Sequence, residues 1–416
     1  MTSASRTPLE PDSPVDAAAP AQSWAEPGST AYWRICIGLF LAGFATFSLL
    51  YSVQPLLPEF TTEFGVSPAV SALALSLSTA TLAFAILFAG ALSEGWGRRG
   101  LMFASMALAA LLNILAAVSP SWHALLAART LVGLLLGGVP AVAMAYLAEE
   151  THPRGLGFSM GLYVGGTAFG GMAGRVFMSF LTDMYGWRSA MVTVGVLDLL
   201  AAVGFLLLLP RSRNFVRRTG TGMRHHFRAW GRHWRQPRLR QLFIASFCLM
   251  GVFVTLYNYV GFRLLAPPYD LSQSEIGLIF LAYIFAIFVS PMAGWLADRL
   301  GRGKVLAGGV GFLALGLACT GLPWLAAIVL GIILLTIGFF VAHSTASGWV
   351  GRLATENKGH AASLYLLAYY LGSSVVGACG GWFWEHGGWW PLLAFLLALL
   401  GWMAWVIRDL LRGQPA

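Results

Sequence analysis

Apolar runs of roughly 20 residues, each long enough to cross about 30 Å of hydrocarbon as an α-helix, recur along almost the whole chain. Twelve are read, over residues 33–57, 70–92, 101–118, 122–148, 156–182, 188–209, 240–266, 276–298, 303–320, 323–349, 360–384 and 389–410. They stay apolar instead of alternating, which excludes a membrane β-barrel, whose strands alternate over about ten residues. Composition agrees: 57% of the 416 residues are hydrophobic and 10% charged, a balance foreign to soluble domains of this length. The expected fold is an all-α integral membrane protein with twelve transmembrane helices. Residues 1–30, rich in Ala, Pro and Ser, read as a disordered cytoplasmic tail and not as a cleavable signal peptide.

Charge sets the expected orientation. With both termini cytoplasmic, all of the 26 basic residues except Arg129, Arg175, Arg188 and Arg263 fall on the inner side. The outer surface keeps Arg188 and Arg263 beside Glu59, Glu63, Asp183, Asp270, Glu275 and Glu385. The positive-inside rule then favours an N-in, C-in topology. The net charge of +9 is thus explained by topology, and no nucleic-acid partner is expected. The densest basic run, 211–240, reads as a linker that also rests on anionic headgroups, with Trp230 and Trp234 dipping into the interface. A lipid-specific regulatory site and a partner-docking segment are its other readings. Cys36, Cys248, Cys319 and Cys379 lie inside the spans without metal-ligand spacing, so they read as packing residues and no metal site is expected.

The basic run divides the spans six and six, and the halves repeat. "GALSEGWGRRG" at 90–100 returns as "GWLADRLGRGK" at 294–304, "LLYSV" at 49–53 as "TLYNY" at 255–259, and "YGWR" at 185–188 as "GGWW" at 387–390. Six helices per half give both copies one orientation, with a pseudo-twofold axis along the membrane normal. The organisation expected is a tail over 1–30, six-helix bundles over 31–210 and 240–416, and a linker over 211–239.

On these motifs the chain resembles the major facilitator superfamily over residues 31–410, in particular its bacterial branch of proton-coupled drug and sugar (arabinose-efflux-like) exporters. The family pattern between helices 2 and 3 is matched at Gly90, Leu92, Gly97, Arg98 and Arg99, with Glu94 in the Asp position and Gly95 in the Arg position. The second copy matches at Gly294, Leu296, Asp298, Arg299, Gly301 and Arg302. The resemblance implies a conformational latch built from these residues, made of charge pairs and helix-end dipoles that break as the halves rock. In helix 4, Arg129, Gly133, Gly137, Gly138 and Pro140 match a second motif. The helix 5 motif of antiporters is matched at Gly166, Gly170 and Gly171, but Thr167 stands where proline is expected, which weakens the inference of export from this motif. The glycine spacing still lets helix 5 approach a neighbour closely.

A charged side chain inside a spanning helix costs at least a few kcal/mol, so it faces a partner or a wet cavity. Within the spans stand Arg129, Arg175, Asp198 and the titratable His343. Counting along each helix puts Arg129 and Arg175 in the outer third, level with Tyr51, Gln54, Tyr257 and Asn258, as a layer that gates the substrate path. Each has a blander reading: structural pairing for Arg129, snorkelling to the outer headgroups for Arg175, an aromatic belt for the tyrosines, interhelical hydrogen bonds for Gln54 and Asn258. Asp198 and His343 are the proton-coupling candidates, by the chemistry of a mid-membrane carboxylate and of an imidazole, and His343 in a cavity-lining helix is also a candidate substrate contact. Asp198 lies in a flanking helix, which favours a counter-ion or packing role, and His343 reads equally as a hydrogen-bonded helix contact.

The expected function is a secondary transporter working by alternating access, a monomer in a bacterial inner membrane. Its expected partners are protons, lipid and a small-molecule substrate exported in exchange for protons, with the proton gradient as energy source and no cofactor. Exporters of cationic drugs in the family carry a carboxylate in helix 1 or 4; neither helix has one in mid-span here. A neutral or anionic solute is therefore expected: a sugar, an organic acid or a xenobiotic. Proton symport or facilitated uptake is the alternative, and a non-transporting sensor or scaffold a remote one. An enzyme is not expected, because no paired nucleophile, metal-ligand cluster or phosphate loop is present, and the glycine run at 165–174 follows no strand.

Overall fold

The computed structural model describes residues 24–214 and 223–412, and of residues 90–96, 223 and 225 the backbone alone. Helix 1 is Thr30–Phe64, helix 2 Pro68–Ala89 with the backbone helical on to Trp96, helix 3 Arg98–Ala117 and helix 4 Trp122–Glu150. Helices 5 and 6 share one 56-residue run, Pro153–Leu208, which turns at Gly186; they are 153–185 and 187–208. The second half holds helix 7, Pro237–Leu265, helix 8, Gln273–Leu300, helix 9, Arg302–Thr320, helix 10, Leu325–Leu353, helix 11, Lys358–Gly387, and helix 12, Trp389–Val406. The reversals at Gly97, Gly186, Gly301 and Gly388 all have φ between 70° and 91°, which a Cβ would oppose. These reversals let consecutive helices follow one another almost without a loop.

Large apolar side chains such as Leu115, Leu200, Phe288 and Leu330 stay exposed on the outside of the bundle, where hydrocarbon is the solvent. Inside, small residues bring backbones together. A Cβ on Gly170 of helix 5 would stand 2.1 Å from the Phe44 carbonyl oxygen of helix 1, and one on Gly372 of helix 11 would stand 2.0 Å from that of Phe247 in helix 7. The two halves therefore repeat the same close contact, helix 1 on 5 and helix 7 on 11.

Two expectations need correction. Residues 1–23 of the expected tail lie outside the described residues, but 24–29 are tied down. The Ala25 N–H donates to the Glu150 carbonyl at 2.8 Å and its carbonyl accepts from the His152 N–H at 3.2 Å. Within the basic linker, Met223–Arg235 is a helix whose His226, Trp230 and His233 fall on one face at helical spacing. Trp230 turns into the protein and not toward headgroups: it is buried, and its indole N–H donates to Ser363 Oγ of helix 11 at 3.2 Å. Trp234 is half exposed and stacks on Phe243.

Candidate functional site

A cavity of about 620 Å³ lies between the halves, walled by residues of helices 1, 4, 5, 7, 8, 10 and 11. It runs from Gly161 and Gly348, near the end that carries the described chain termini, to Tyr51 and Arg175 near the other end. Its walls are aromatic and thioether-rich, with Tyr163, Phe253, Tyr283, Phe339, Tyr369 and Met250 among them. Among the described residues Arg175 is its only charged lining group apart from the titratable His343, and no Asp, Glu, Asn or Gln lines it.

The far end is shut by contacts between the halves. Helix 1 breaks after Tyr51 into a short 3₁₀ turn, Gln54–Leu56, because Pro55 has no N–H for a helical bond. The break presents Gln54 to the bundle axis. Its Nε2 donates to Asn258 Oδ1 at 2.7 Å and to the Val254 carbonyl at 3.3 Å, both on helix 7, while its Oε1 accepts from Arg175 Nε at 2.6 Å. Nearby, Gln273 Nε2 donates to the Pro55 carbonyl at 2.6 Å, the Ala69 N–H to Glu385 Oε1 at 2.9 Å, and the Ser274 N–H to Asp183 Oδ2 at 3.3 Å. These bonds join helices 1, 2 and 5 to helices 7, 8 and 11.

Arg175 does not snorkel. It is 2% exposed, its Nη1 donates to the Gly171 carbonyl at 2.6 Å, and its guanidinium carbon lies 4.4 Å from the Tyr51 ring centre, 5.3 Å from that of Phe280 and 5.0 Å from that of Tyr283. It is therefore a buried cation at the apex of the cavity and not an element of the outer rim. Gly171 leaves room for it, since a Cβ there would meet Arg175 Nη1 at 3.3 Å.

Arg129 proves to have different work from Arg175, although both were expected in one gating layer. Its Nη1 donates to the Leu49 carbonyl at 3.0 Å and to Asn113 Oδ1 at 3.2 Å, and its Nη2 to the Leu50 carbonyl at 2.8 Å. Those carbonyls sit in the last turn of the first segment of helix 1, where helical partners run out. Arg129 thus stabilises the break in helix 1 and does not line the cavity. The helix 4 glycine beside it, Gly133, faces the Ser78 carbonyl of helix 2, 2.0 Å from where its Cβ would be. Gly166 meets the Phe40 carbonyl in the same way.

The remaining candidates divide. Tyr257 donates or accepts at 2.8 Å with Thr336 of helix 10 and stacks on Phe280 at 5.3 Å, so it belongs to the second half's packing behind the apex. His343 lines the cavity, with Nδ1 3.0 Å from the Tyr365 hydroxyl and its ring stacked 5.5 Å from Phe339. Asp198 is fully buried and away from the cavity. Ser48 Oγ donates to its Oδ2 at 2.9 Å, and its Oδ1 has no hydrogen-bond partner.

The latch residues pair inside each half. Arg98 forms an ion pair with Glu149 at the end of helix 4, and Arg99 bonds the Leu206 carbonyl of helix 6. Asp298 accepts from Arg302 at 2.8 Å and from Arg352 of helix 10 at 2.9 Å, and Arg299 lies over the Trp295 ring. Gly97 and Gly301 make the turns; Gly294 lies in open space; the side-chain environments of Gly90 and Glu94 lie outside the described residues. Sequence reading missed Tyr283, Gln273 and Asn113, and read Glu385 only as an acid of the outer surface. The acid and the two amides at helix ends were visible as polar residues, but only the fold shows which strand of the path they meet.

Twelve helices in two repeated sixes, around a cavity between the halves that side chains of both halves bar at one end, define a membrane transporter. The profile described as Major Facilitator Superfamily matches residues 35–269 and 262–415, and the chain belongs to that family. It is 44% identical over 373 residues to the inner membrane transport protein YnfM of Escherichia coli (strain K12), covering 90% of this chain and 89% of that protein. It is 42% identical over 386 residues to the uncharacterized MFS-type transporter YybF of Bacillus subtilis (strain 168), covering 93% and 95%. Among solved structures, a bacterial homologue of the human lysosomal transporter Spinster, inward-facing and unoccupied, aligns with a TM-score of 0.73 at 15% identity, covering 93% of this chain and 98% of that one. The peptide transporter POT in complex with sulfate aligns with a TM-score of 0.76 at 14% identity, covering 92% and 96%. These two likenesses concern the fold alone.

Proposed function

We propose that this transporter exports a small neutral or anionic solute in exchange for protons, as a monomer in a bacterial inner membrane. The observation that carries the reading is the asymmetric cavity, which reaches Gly161 and Gly348 on the side of the termini and is shut on the other side at Gln54 and Asn258. The basic loops at the terminal end favour a cytoplasmic placement by the positive-inside rule, which makes the state described here ready to load from the cytoplasm. The inner membrane placement agrees with the name of the relative YnfM. Export itself rests on the helix 5 glycine pattern, in which Thr167 replaces the expected proline, and substrate class on a cavity without a carboxylate. Of the two proton candidates, the cavity position of His343 suits exchange with substrate better than the enclosed Asp198.

Proteoliposomes with an imposed pH gradient test this. Solute flux driven by that gradient is expected, abolished by His343→Gln and retained by Asp198→Asn. Flux indifferent to the gradient would remove the antiport reading, and normal coupling in His343→Gln would remove the histidine.

A further inference from the structure

The substrate class can be narrowed from Arg175. A buried guanidinium is tolerated when its charge is compensated and its N–H groups are bonded. Arg129, equally buried, meets the second requirement with bonds from Nε, Nη1 and Nη2. Arg175 does not: Nε and Nη1 are bonded, but Nη2 makes no hydrogen bond and no carboxylate pairs with the group among the described residues. Arg175 also lines the cavity. A pre-oriented cation that has aromatic faces but no carboxylate beside it, and one unused donor edge at the apex of a cavity, is built to receive an anion from that cavity.

The walls define the rest of the ligand. A sugar is best held by carboxylates and amides converging on its hydroxyls, yet no Asp, Glu, Asn or Gln lines the space, and the side-chain hydrogen-bonding groups there, besides Arg175 and His343, are hydroxyls of Tyr, Ser and Thr. A cation would meet Arg175 without a carboxylate to offset it. What the walls offer is the apolar faces of Phe253, Tyr283, Phe339, Phe340 and Tyr369, in a volume that suits a ligand of drug-like size or less. We infer that the cavity takes an amphipathic organic monoanion, its carboxylate on the free edge of Arg175 and its aromatic or aliphatic body among these rings. This rests on reading the cavity as the transport site, and it sets the neutral solutes aside.

Binding to the purified full chain in lipid nanodiscs, followed by calorimetry, tests it with 3-phenylpropanoate as probe. The neutral 3-phenylpropanamide should bind at least about tenfold more weakly, as expected for loss of a charge-assisted bond. Propanoate, lacking the body, should also bind more weakly, and glucose and 3-phenylpropylammonium should not saturate. Arg175→Gln should bring anion and amide to equal affinity, and Arg175→Lys should keep part of the preference. Equal binding of anion and amide to the native chain would overturn the inference. So would a preference that survives Arg175→Gln, or failure of 3-phenylpropanoate, octanoate and indole-3-acetate alike to bind. The proposal of proton-driven export fails separately. Arg175-dependent anion binding without gradient-driven flux removes export alone, whereas gradient-driven flux of a neutral solute in Arg175→Gln removes only the anion.

Discussion

Replacing Gln54 by leucine should shift the transporter toward the state open at the end opposite its termini. Gln54 is buried and sends two hydrogen bonds across the halves, to Asn258 Oδ1 and the Val254 carbonyl. Both exist only while that end is closed, so their loss raises the free energy of the closed state alone. Interhelical hydrogen bonds in membranes average about 0.6 kcal/mol and reach about 1.7 kcal/mol, so two average ones amount to about 1.2 kcal/mol and two of the strongest to about 3.4 kcal/mol. That is about an 8-fold change in the ratio of the two states at the average and about 300-fold at the upper limit. Spin labels on Thr62→Cys and Asp270→Cys, exposed positions of opposite halves, read the separation in a chain whose Cys319 and Cys379 are serine. A longer distance should gain population in Gln54→Leu. Asn258→Leu should produce a smaller shift, since it removes one of the two bonds, and the double variant should add little to Gln54→Leu. Unchanged distances in both single variants, or strictly additive shifts, would refute Gln54 as the cross-half tie.

Gln54→Glu should hand Arg175 an internal counter-ion at the 2.6 Å position of the present Oε1, and anion binding measured by calorimetry should weaken by about tenfold or more. Arg129→Met should leave the Leu49 and Leu50 carbonyls and Asn113 Oδ1 without their donor, costing about 2–4 kcal/mol; thermal inactivation in detergent should fall by several degrees, with Arg129→Lys intermediate. Gly170→Val should force helix 1 from helix 5, because even a Cβ meets the Phe44 carbonyl at 2.1 Å, whereas Gly157→Ala, with nothing within 4 Å, should melt like the native chain; monodispersity on size exclusion and melting temperature distinguish them.

The twelve helices were legible because each apolar run is long enough to span and the reversals carry glycine. The identity of the charged residues was equally legible, but their depth was a poorer guide than their direction. Counting residues placed Arg129 and Arg175 in one layer, and it carries no information on which way a side chain points around its helix. Trp230 illustrates the same limit: an indole in a basic run suits headgroups, yet a partner at Ser363, 133 positions on, turns it inward. Gln273 and Tyr283 went unread, and Glu385 was read only as an acid of the outer surface, because their meaning comes from contacts between halves, which no local pattern encodes.

The break in helix 1 resolves why two arginines that read as a pair act in series. Pro55 ends the helical bonding, Arg129 holds the released carbonyls of Leu49 and Leu50, and the turn so fixed carries Gln54 to both Arg175 and Asn258. All of Arg129's partners, and Gly171 and Gln54 for Arg175, belong to the first half and travel with it. Phe280 and Tyr283, by contrast, belong to helix 8 of the second half. When the halves part at this end, Arg175 loses those two rings and gains water while keeping its bonds within the first half. Hydration weakens the hold of a guanidinium on an anion, since the attraction falls as the local dielectric rises. If the cavity takes an anion as proposed above, an anion held at the closed apex is expected to be released as the apex opens, and Arg175→Gln should remove that dependence on opening from the binding measured by calorimetry.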